Sequence, residues 1–317
     1  MSAVAFLFPG QGSQSVGMGK ELAGLYPVAR ETFDQADAAL GFKLSELCFE
    51  GPEEKLKLTE ITQPAILTVS VAALRVLREK GINPAYAAGH SLGEYSAHVA
   101  AGTLSFEDAV RTVRQRGSYM QEAVPVGEGA MAAILGMPLE ELSNVCAEAA
   151  QGEVCSPANI NSPDQIVISG NTRAVERAAE LAKKRGAKRA ILLPVSAPFH
   201  CTLLQPAQDK LAHDLAQLQF HLMRIPVACN VDAQLVDKPE EARNALIRQV
   251  TGAVRWEPCM RLLIAHGVET FIEVGPGKVL CGLMRQIDRS KICLNVEDDA
   301  SLQKMIHHLS TAKTGAA

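Results

Sequence analysis

The stretch Gly89-His90-Ser91-Leu92-Gly93 constrains this chain more than any other. An apolar run, Ala85 to Ala88, leads into it, and small residues in a helical pattern follow from Gly93 to Ala101. Glycines two residues either side of a serine suit a sharp strand-to-helix turn. They let neighbouring backbone crowd a strained central residue whose hydroxyl stands exposed. The start of the following helix offers unpaired N–H groups and a positive dipole end, and both favour a developing oxyanion. The pattern alone leaves two readings equally open: a nucleophile, or a serine that only caps the helix.

A chain of 317 residues can bury a large core in one or two domains. The formal net charge of −4 argues against nucleic acid as the main partner, because phosphate binding asks for a basic face. No apolar run approaches the ~18–20 residues that a bilayer span needs, which argues against a membrane protein. Met1 to Phe8 carries no basic segment and runs straight into a glycine turn, so it reads as a first buried strand rather than a signal peptide. The 8 cysteines are scattered, without a Cys-x-x-Cys pair or a histidine at metal-ligand spacing. Free thiols, no metal site and a reducing compartment are expected, with the cytoplasm as default.

Along the chain, Val4 to Phe8 reads as a strand and Pro9-Gly10-Gln11-Gly12-Ser13-Gln14 as the loop after it. Ser15 stands where a dinucleotide fingerprint needs its third glycine, so the loop is either a plain turn or backbone left bare for a ligand. A helix is expected from Tyr26 to Leu40. Thr62 is expected to cap another, with Pro64 in its first turn, running through Arg78. Gly127 to Leu193 reads β-α-β-β-α-β, the order of a ferredoxin-like module. Its strands are expected at Met131–Leu135, Glu153–Asn159, Gln165–Ser169 and Arg189–Leu193, its helices at Pro138–Ala150 and Thr172–Arg185. Punctuation at Pro125-Val126-Gly127 and Pro194 marks this module as an insertion. The expected architecture is therefore α/β: a large hydrolase-like domain with a mainly parallel sheet from residues 1–125 and 195–317, and a small ferredoxin-like subdomain from 126–194. The basic cluster Lys183-Lys184-Arg185 with Lys188-Arg189 reads first as a solvated helix end and second as a surface for an acidic protein. Further helices are expected at Leu204–Leu218, Arg243–Val250 and from Trp256 to Ala265, and strands at Pro226–Val231 and from Phe271. A terminal helix spans Ser301 to Leu309, with a disordered tail after Ser310.

From Ser105 to Val124 the helical stripe is clear: Phe106, Ala109, Val110, Val113, Gly117, Met120 and Val124 share one face. Arg116 falls inside it, about 60° from its centre at 100° per residue, whereas Arg111 and Arg114 fall outside. An arginine on an apolar face must find an anion, form a structural ion pair or snorkel out. A serine nucleophile also needs a base. His90 adjoins Ser91, but on a strand its side chain points to the opposite face. His98, His213, His221, His307 and His308 read as core or surface fillers. His200 stands out because it closes a proline-containing loop at a strand end, where α/β folds place catalytic groups. A hydrolase triad would also need an acid between Ser91 and His200. Asp108 and Asp164 are the aspartates there and neither sits at a strand end, which leaves a dyad oriented by a neutral group as an option.

Several pieces occur in order: Phe8-Pro9-Gly10-Gln11-Gly12-Ser13-Gln14, Thr62-Gln63-Pro64-Ala65, Gly89-His90-Ser91-Leu92-Gly93-Glu94, Arg114-Gln115-Arg116-Gly117, Ala158-Asn159-Ile160-Asn161-Ser162-Pro163, Pro198-Phe199-His200 and Glu273-Val274-Gly275-Pro276-Gly277. Together they resemble the malonyl-CoA:acyl carrier protein transacylases of fatty acid synthesis, over about residues 4 to 310. The resemblance implies malonyl transfer from malonyl-CoA to the pantetheine thiol of acyl carrier protein through a malonyl-serine, without a cofactor, by a cytoplasmic monomer. It implies Ser91 as nucleophile, His200 as base and the carbonyl oxygen of Gln249 as the third group. It implies an oxyanion hole of the Gln11 and Leu92 N–H groups, and Arg116 as bidentate partner of the malonyl carboxylate. Met120 would line the same pocket and Phe199 would stand beside the acyl group. The nearest rival is a malonyltransferase serving a polyketide synthase or a malonate decarboxylase; a serine esterase and a silent binding module stand further off.

Overall fold

The first strand, β1 (Ala3–Phe8), is apolar on both faces, and successive residues of a strand point to opposite sides. Phe6 and Phe8 enter one hydrophobic core, Ala5 and Leu7 another. A strand buried on both faces belongs in the middle of a helix-covered parallel sheet. In the computed structural model, which describes residues 3–195 and 197–314 with side chains through 311, β1 is central to such a sheet.

After β1 come α1 (Lys20–Leu25), α2 (Pro27–Leu40), α3 (Leu44–Glu50), α4 (Glu53–Leu56) and α5 (Thr59–Glu79), then β2 (Tyr86–Gly89), α6 (Gly93–Ala101) and α7 (Phe106–Ala123). The middle of the chain forms β3 (Gly129–Leu135), α8 (Leu139–Ala150), β4 (Cys155–Ser162), β5 (Gln165–Asn171), α9 (Thr172–Lys184) and β6 (Arg189–Leu192). A 3-10 turn at Thr202–Leu204 leads into α10 (Gln205–Gln217). The rest is β7 (Val227–Cys229), β8 (Gln234–Val236), α11 (Pro239–Arg248), α12 (Trp256–Ala265), β9 (Val268–Val274), α13 (Val279–Ile287), β10 (Ile292–Val296) and α14 (Asp299–Thr314).

The large sheet has the order β10-β9-β1-β2-β7-β8. Its first five strands are parallel, and β8 joins the edge antiparallel to β7. The second sheet, β4-β5-β3-β6, is wholly antiparallel and has the ferredoxin-like order, with α8 and α9 on one face. The two sheets are stitched together where Val254 N–H donates to Ala158 O and Ile160 N–H to Val254 O, each at 2.8 Å. The α/β class and the inserted module expected from the sequence are thus the observed ones.

Local expectations fail where tertiary burial overrides local signals. α5 begins at Thr59, with Leu58 as its N-cap, so Thr62 is no cap and Pro64 lies inside the helix. The Thr62 hydroxyl donates instead to Leu56 O at 2.5 Å. Burial of nearly every residue from Ile61 to Leu77 outweighs the one hydrogen bond that Pro64 forfeits. α5 is also the one described helix long and apolar enough to cross a membrane, and 89% of that apolar window lies inside the protein. α13 carries no local cap signal. Its first amides are capped across space by buried Glu273 of β9, whose two carboxylate oxygens accept from Leu280 N–H (3.0 Å) and Cys281 N–H (2.8 Å). The terminal helix passes its expected end at Leu309 and continues to Thr314; the last three residues of the expected tail lie outside the described residues.

Candidate active site

Loops after three neighbouring parallel strands, β1, β2 and β7, meet at their carboxyl ends, where open α/β sheets place their ligand crevices. The loop after β2 is the elbow. Ser91 has φ +51°, a left-handed conformation that costs a non-glycine residue about 1–2 kcal/mol. Its flanking glycines serve close approach. A Cβ on Gly89 would lie 1.9 Å from the Gly93 carbonyl carbon, and one on Gly93 would lie 2.2 Å from Phe8 O. Side chains would therefore drive the helix off the sheet. The turn is tied by Ser91 N–H donating to Asn230 Oδ1 (2.8 Å), Asn230 Nδ2 to Gly89 O (2.8 Å) and Gln249 Nε2 to Ser91 O (2.9 Å).

His200, also in the left-handed region (φ +61°), is buried with its Nε2 2.7 Å from Ser91 Oγ. Its Nδ1 is 2.9 Å from the Gln249 carbonyl oxygen. A carbonyl can only accept, so Nδ1 carries the proton and Nε2 turns a lone pair to the serine hydroxyl. No carboxylate stands behind the imidazole; the neutral orienting group is a backbone carbonyl. Burial, and then the charge of Arg116, push the His200 pKa down to about 3. The imidazole therefore rests neutral, as a base must.

Arg116 is only 2% exposed. Its Nη1 donates to Gln63 Oε1 (2.7 Å), and its Nη2 to Gln249 Oε1 (2.9 Å) and Ser91 Oγ (3.1 Å). The guanidinium also sits 5.8 Å from the ring of Tyr95. Its buried Nε has no partner among the described residues. Every direct acceptor here is neutral, so the cation is held without a touching counter-charge, a costly arrangement that suits an arriving anion. Helix packing puts it there: at Gly117, next in sequence, a Cβ would come within 2.7 Å of Glu60 Cα, so the glycine lets α7 lie directly on α5.

A cleft of about 130 Å³ opens over these groups, lined by Gln11, Gln63, Ser91, Leu92, Arg116, Phe199 and His200 from one side and by Met131, Asn159 and Val167 of the antiparallel sheet, with Leu193 just after β6, from the other. Gln11 and Leu92 flank the serine, and neither backbone N–H donates to a protein acceptor among the described residues. Gly10 permits the close approach of the Gln11 loop, since a Cβ there would lie 2.6 Å from His90 O. One expectation needs correcting. Met120 is buried behind the cleft rather than lining it, its sulfur 3.8 Å from Gln63 Nε2. His90, just beyond the last residue of β2, turns its ring to Trp256, 5.5 Å away, with its Nε2 2.9 Å from Asn161 Oδ1. Arg111 is exposed, whereas Arg114 is half-buried and stacks 4.6 Å from the ring of Phe42. The basic cluster at and beyond the end of α9 is largely spent on surface ion pairs, Lys183 with Glu180, Arg185 with Glu148 and Lys188 with Asp164.

Sequence reasoning assigned no role to Gln63, Asn230 or Glu94. Gln63 and Glu94 lie within motifs that were noticed, but Asn230 follows a three-residue strand and carries no local signal. Behind the elbow, buried Glu94, His98 and Cys229 bring donor atoms within 4.8 Å of one another, a cluster that linear spacing does not show. Burial holds the Cys229 pKa well above its usual range, with the neighbouring Glu94 carboxyl adding to the effect.

Fold and site are those of an acyl-transfer protein, and residues 5–314 match the acyl transferase domain family. The chain belongs to that family. It is 51% identical over 317 residues, all of both chains, to the malonyl CoA-acyl carrier protein transacylase of Bacillus subtilis. The crystal structure of the Clostridium perfringens malonyl CoA-acyl carrier protein transacylase superposes with a TM-score of 0.97 at 42% identity, covering 99% of each chain. A malonyl-transacylase in complex with a type II PKS acyl-carrier protein superposes with a TM-score of 0.95 at 47% identity, covering 97% of this chain and 100% of that one.

Proposed function

We propose that the chain transfers a malonyl group from malonyl-CoA to the pantetheine thiol of an acyl carrier protein through a malonyl ester of Ser91. The relatives at about half identity over full length support the substrate and acceptor. The observation that carries the chemistry is the joint placement of Ser91 Oγ at 2.7 Å from His200 Nε2 and 3.1 Å from Arg116 Nη2.

In the first half-reaction His200 Nε2 takes the proton as Ser91 Oγ attacks the thioester carbonyl. The oxyanion is stabilised by the Gln11 N–H of the loop after β1 and the Leu92 N–H at the start of α6. The tetrahedral carbon then expels the CoA sulfur, which takes the proton from His200. In the second half-reaction His200 removes the proton of the pantetheine thiol, the sulfur attacks the ester, and the proton returns to Ser91 Oγ as it leaves. Arg116 holds the free malonyl carboxylate throughout, as the site's buried cation with neutral first partners. Every group this scheme needs is a side chain or backbone group of the chain, so it calls for no cofactor. The free thiols support a reducing, cytoplasmic setting, and we take the enzyme to act as a monomer, with the inserted subdomain spanning residues 126–194.

Mixing the protein with malonyl-CoA and digesting it for mass spectrometry tests the reading. Malonate is expected on the peptide carrying Ser91 and absent from Ser91→Ala; covalent malonate on the alanine variant would refute the assignment. The neighbour bound to a type II PKS carrier protein makes a polyketide acceptor the second reading. Rates with fatty-acid and polyketide carrier proteins decide between the two.

A further inference from the structure

We infer that Glu94 is the positioning residue that holds nucleophile, base and arginine in one frame, an inference that rests on Ser91 and His200 acting as proposed. Glu94 lies in the first turn of α6 and is fully buried, although it touches no part of the cleft. One carboxylate oxygen, Oε2, accepts from Asn230 N–H at 3.0 Å and from Gln249 Nε2 at 2.8 Å. Each of those residues makes the next contact toward the chemistry. Asn230 Oδ1 takes the Ser91 N–H, at 2.8 Å, on the strained elbow. The Gln249 carbonyl takes His200 Nδ1–H at 2.9 Å, while its Oε1 takes Arg116 Nη2 at 2.9 Å.

Arg116 decides which way the Gln249 amide faces. A guanidinium only donates, so the amide turns Oε1 to Arg116, and the Glu94 oxygen that already takes the Asn230 N–H is the acceptor left for Nε2. Three elements that share no sequence neighbourhood, the α6 start, the residue after β7 and the end of α11, are thus pinned by one oxygen. The other oxygen, Oε1, has no hydrogen-bond partner among the described residues and faces buried His98 Nε2 at 4.0 Å. Fixing the frame therefore needs an acceptor at the Oε2 position and nothing at the second.

That asymmetry supplies the test. Glu94→Ala removes the acceptor; Glu94→Gln restores it in the same place with an amide oxygen; Glu94→Asp draws it back by one methylene. The pre-steady-state rate of malonyl loading on Ser91 and the KM for malonyl-CoA would be measured on folded protein, checked by circular dichroism. A displacement of about 1 Å in such a site costs about 100-fold in rate. Loading in the alanine variant is expected to fall by about that factor with KM little changed, and glutamine is expected to restore most of it. Aspartate is expected to fall between them. Wild-type loading rates in a folded alanine or aspartate variant would overturn the inference, as would a glutamine variant as slow as alanine. Should alanine fail to fold, the aspartate and glutamine variants decide on the same criteria. Failure of the wild-type protein to load malonate would instead sink the proposed function, so the two failures are told apart.

Discussion

Removing the guanidinium of Arg116 is the sharpest test of the carboxylate clamp. The group is buried, and its acceptors are two amide oxygens and the serine hydroxyl. Breaking a buried, hydrogen-bonded charge pair by truncating one partner costs about 2–5 kcal/mol. At 1.4 kcal/mol per factor of ten, that is roughly 30-fold to several thousandfold in kcat/KM for malonyl-CoA. Acetyl-CoA offers no carboxylate and loses only what Arg116 contributes to the serine through its 3.1 Å contact, about 1.5–3 kcal/mol for a hydrogen bond from a charged donor, or roughly 10- to 150-fold, a loss that malonyl-CoA shares on top of the clamp. The Arg116→Ala variant should therefore lower the malonyl-to-acetyl ratio of kcat/KM by at least tenfold. The assay is transfer of either acyl group to one carrier protein, with enzyme integrity checked by thermal unfolding. Equal losses for the two donors would refute the reasoning and leave Arg116 as a support for the Ser91–His200 pair.

The remaining predictions concern the base and the helix packing. With the His200 pKa pushed down to about 3, the free enzyme keeps its base neutral, so kcat/KM should not fall on an imidazole limb near 6.5 as pH drops from 8 to 5; a limb centred there would contradict the burial argument. A bound carboxylate offsets Arg116, one of the causes of that depression, so the limb of kcat should lie higher than that of kcat/KM. His98, also pushed to about 3 by burial, acts with His200 on stability: unfolded imidazoles bind protons near 6.5 that the folded ones refuse. Their joint contribution is complete above pH 6.5 and is lost as pH falls toward 3, which urea unfolding at several pH values would measure; unchanged contributions in His98→Gln would argue otherwise. Gly117→Ala should destabilise by about 1–3 kcal/mol, because the new methyl meets backbone of α5 at 2.7 Å; unchanged urea stability would show that α7 can lift away freely.

What the sequence determined alone was the part written in local pattern. Strand–helix alternation and a β-α-β-β-α-β run specify two sheets, because period-2 and period-3.6 burial are chemically different faces. The glycines around Ser91 announce a crowded turn, and the inward Arg116 announces an unmet charge. The short or remotely capped elements were not legible: α13 relies on Glu273 across space, and Pro64 is absorbed into a buried helix that local rules would start later. Only the tertiary structure decided what surrounds the serine. Gln249, Asn230 and Glu94 come from three separate segments, and their hydrogen bonds exist only once the sheet order has set β7 beside β2. Spacing along a chain encodes which face a residue takes, whereas a distance of 2.8 Å between residues 94 and 249 is a property of packing, on which sequence separation has no bearing.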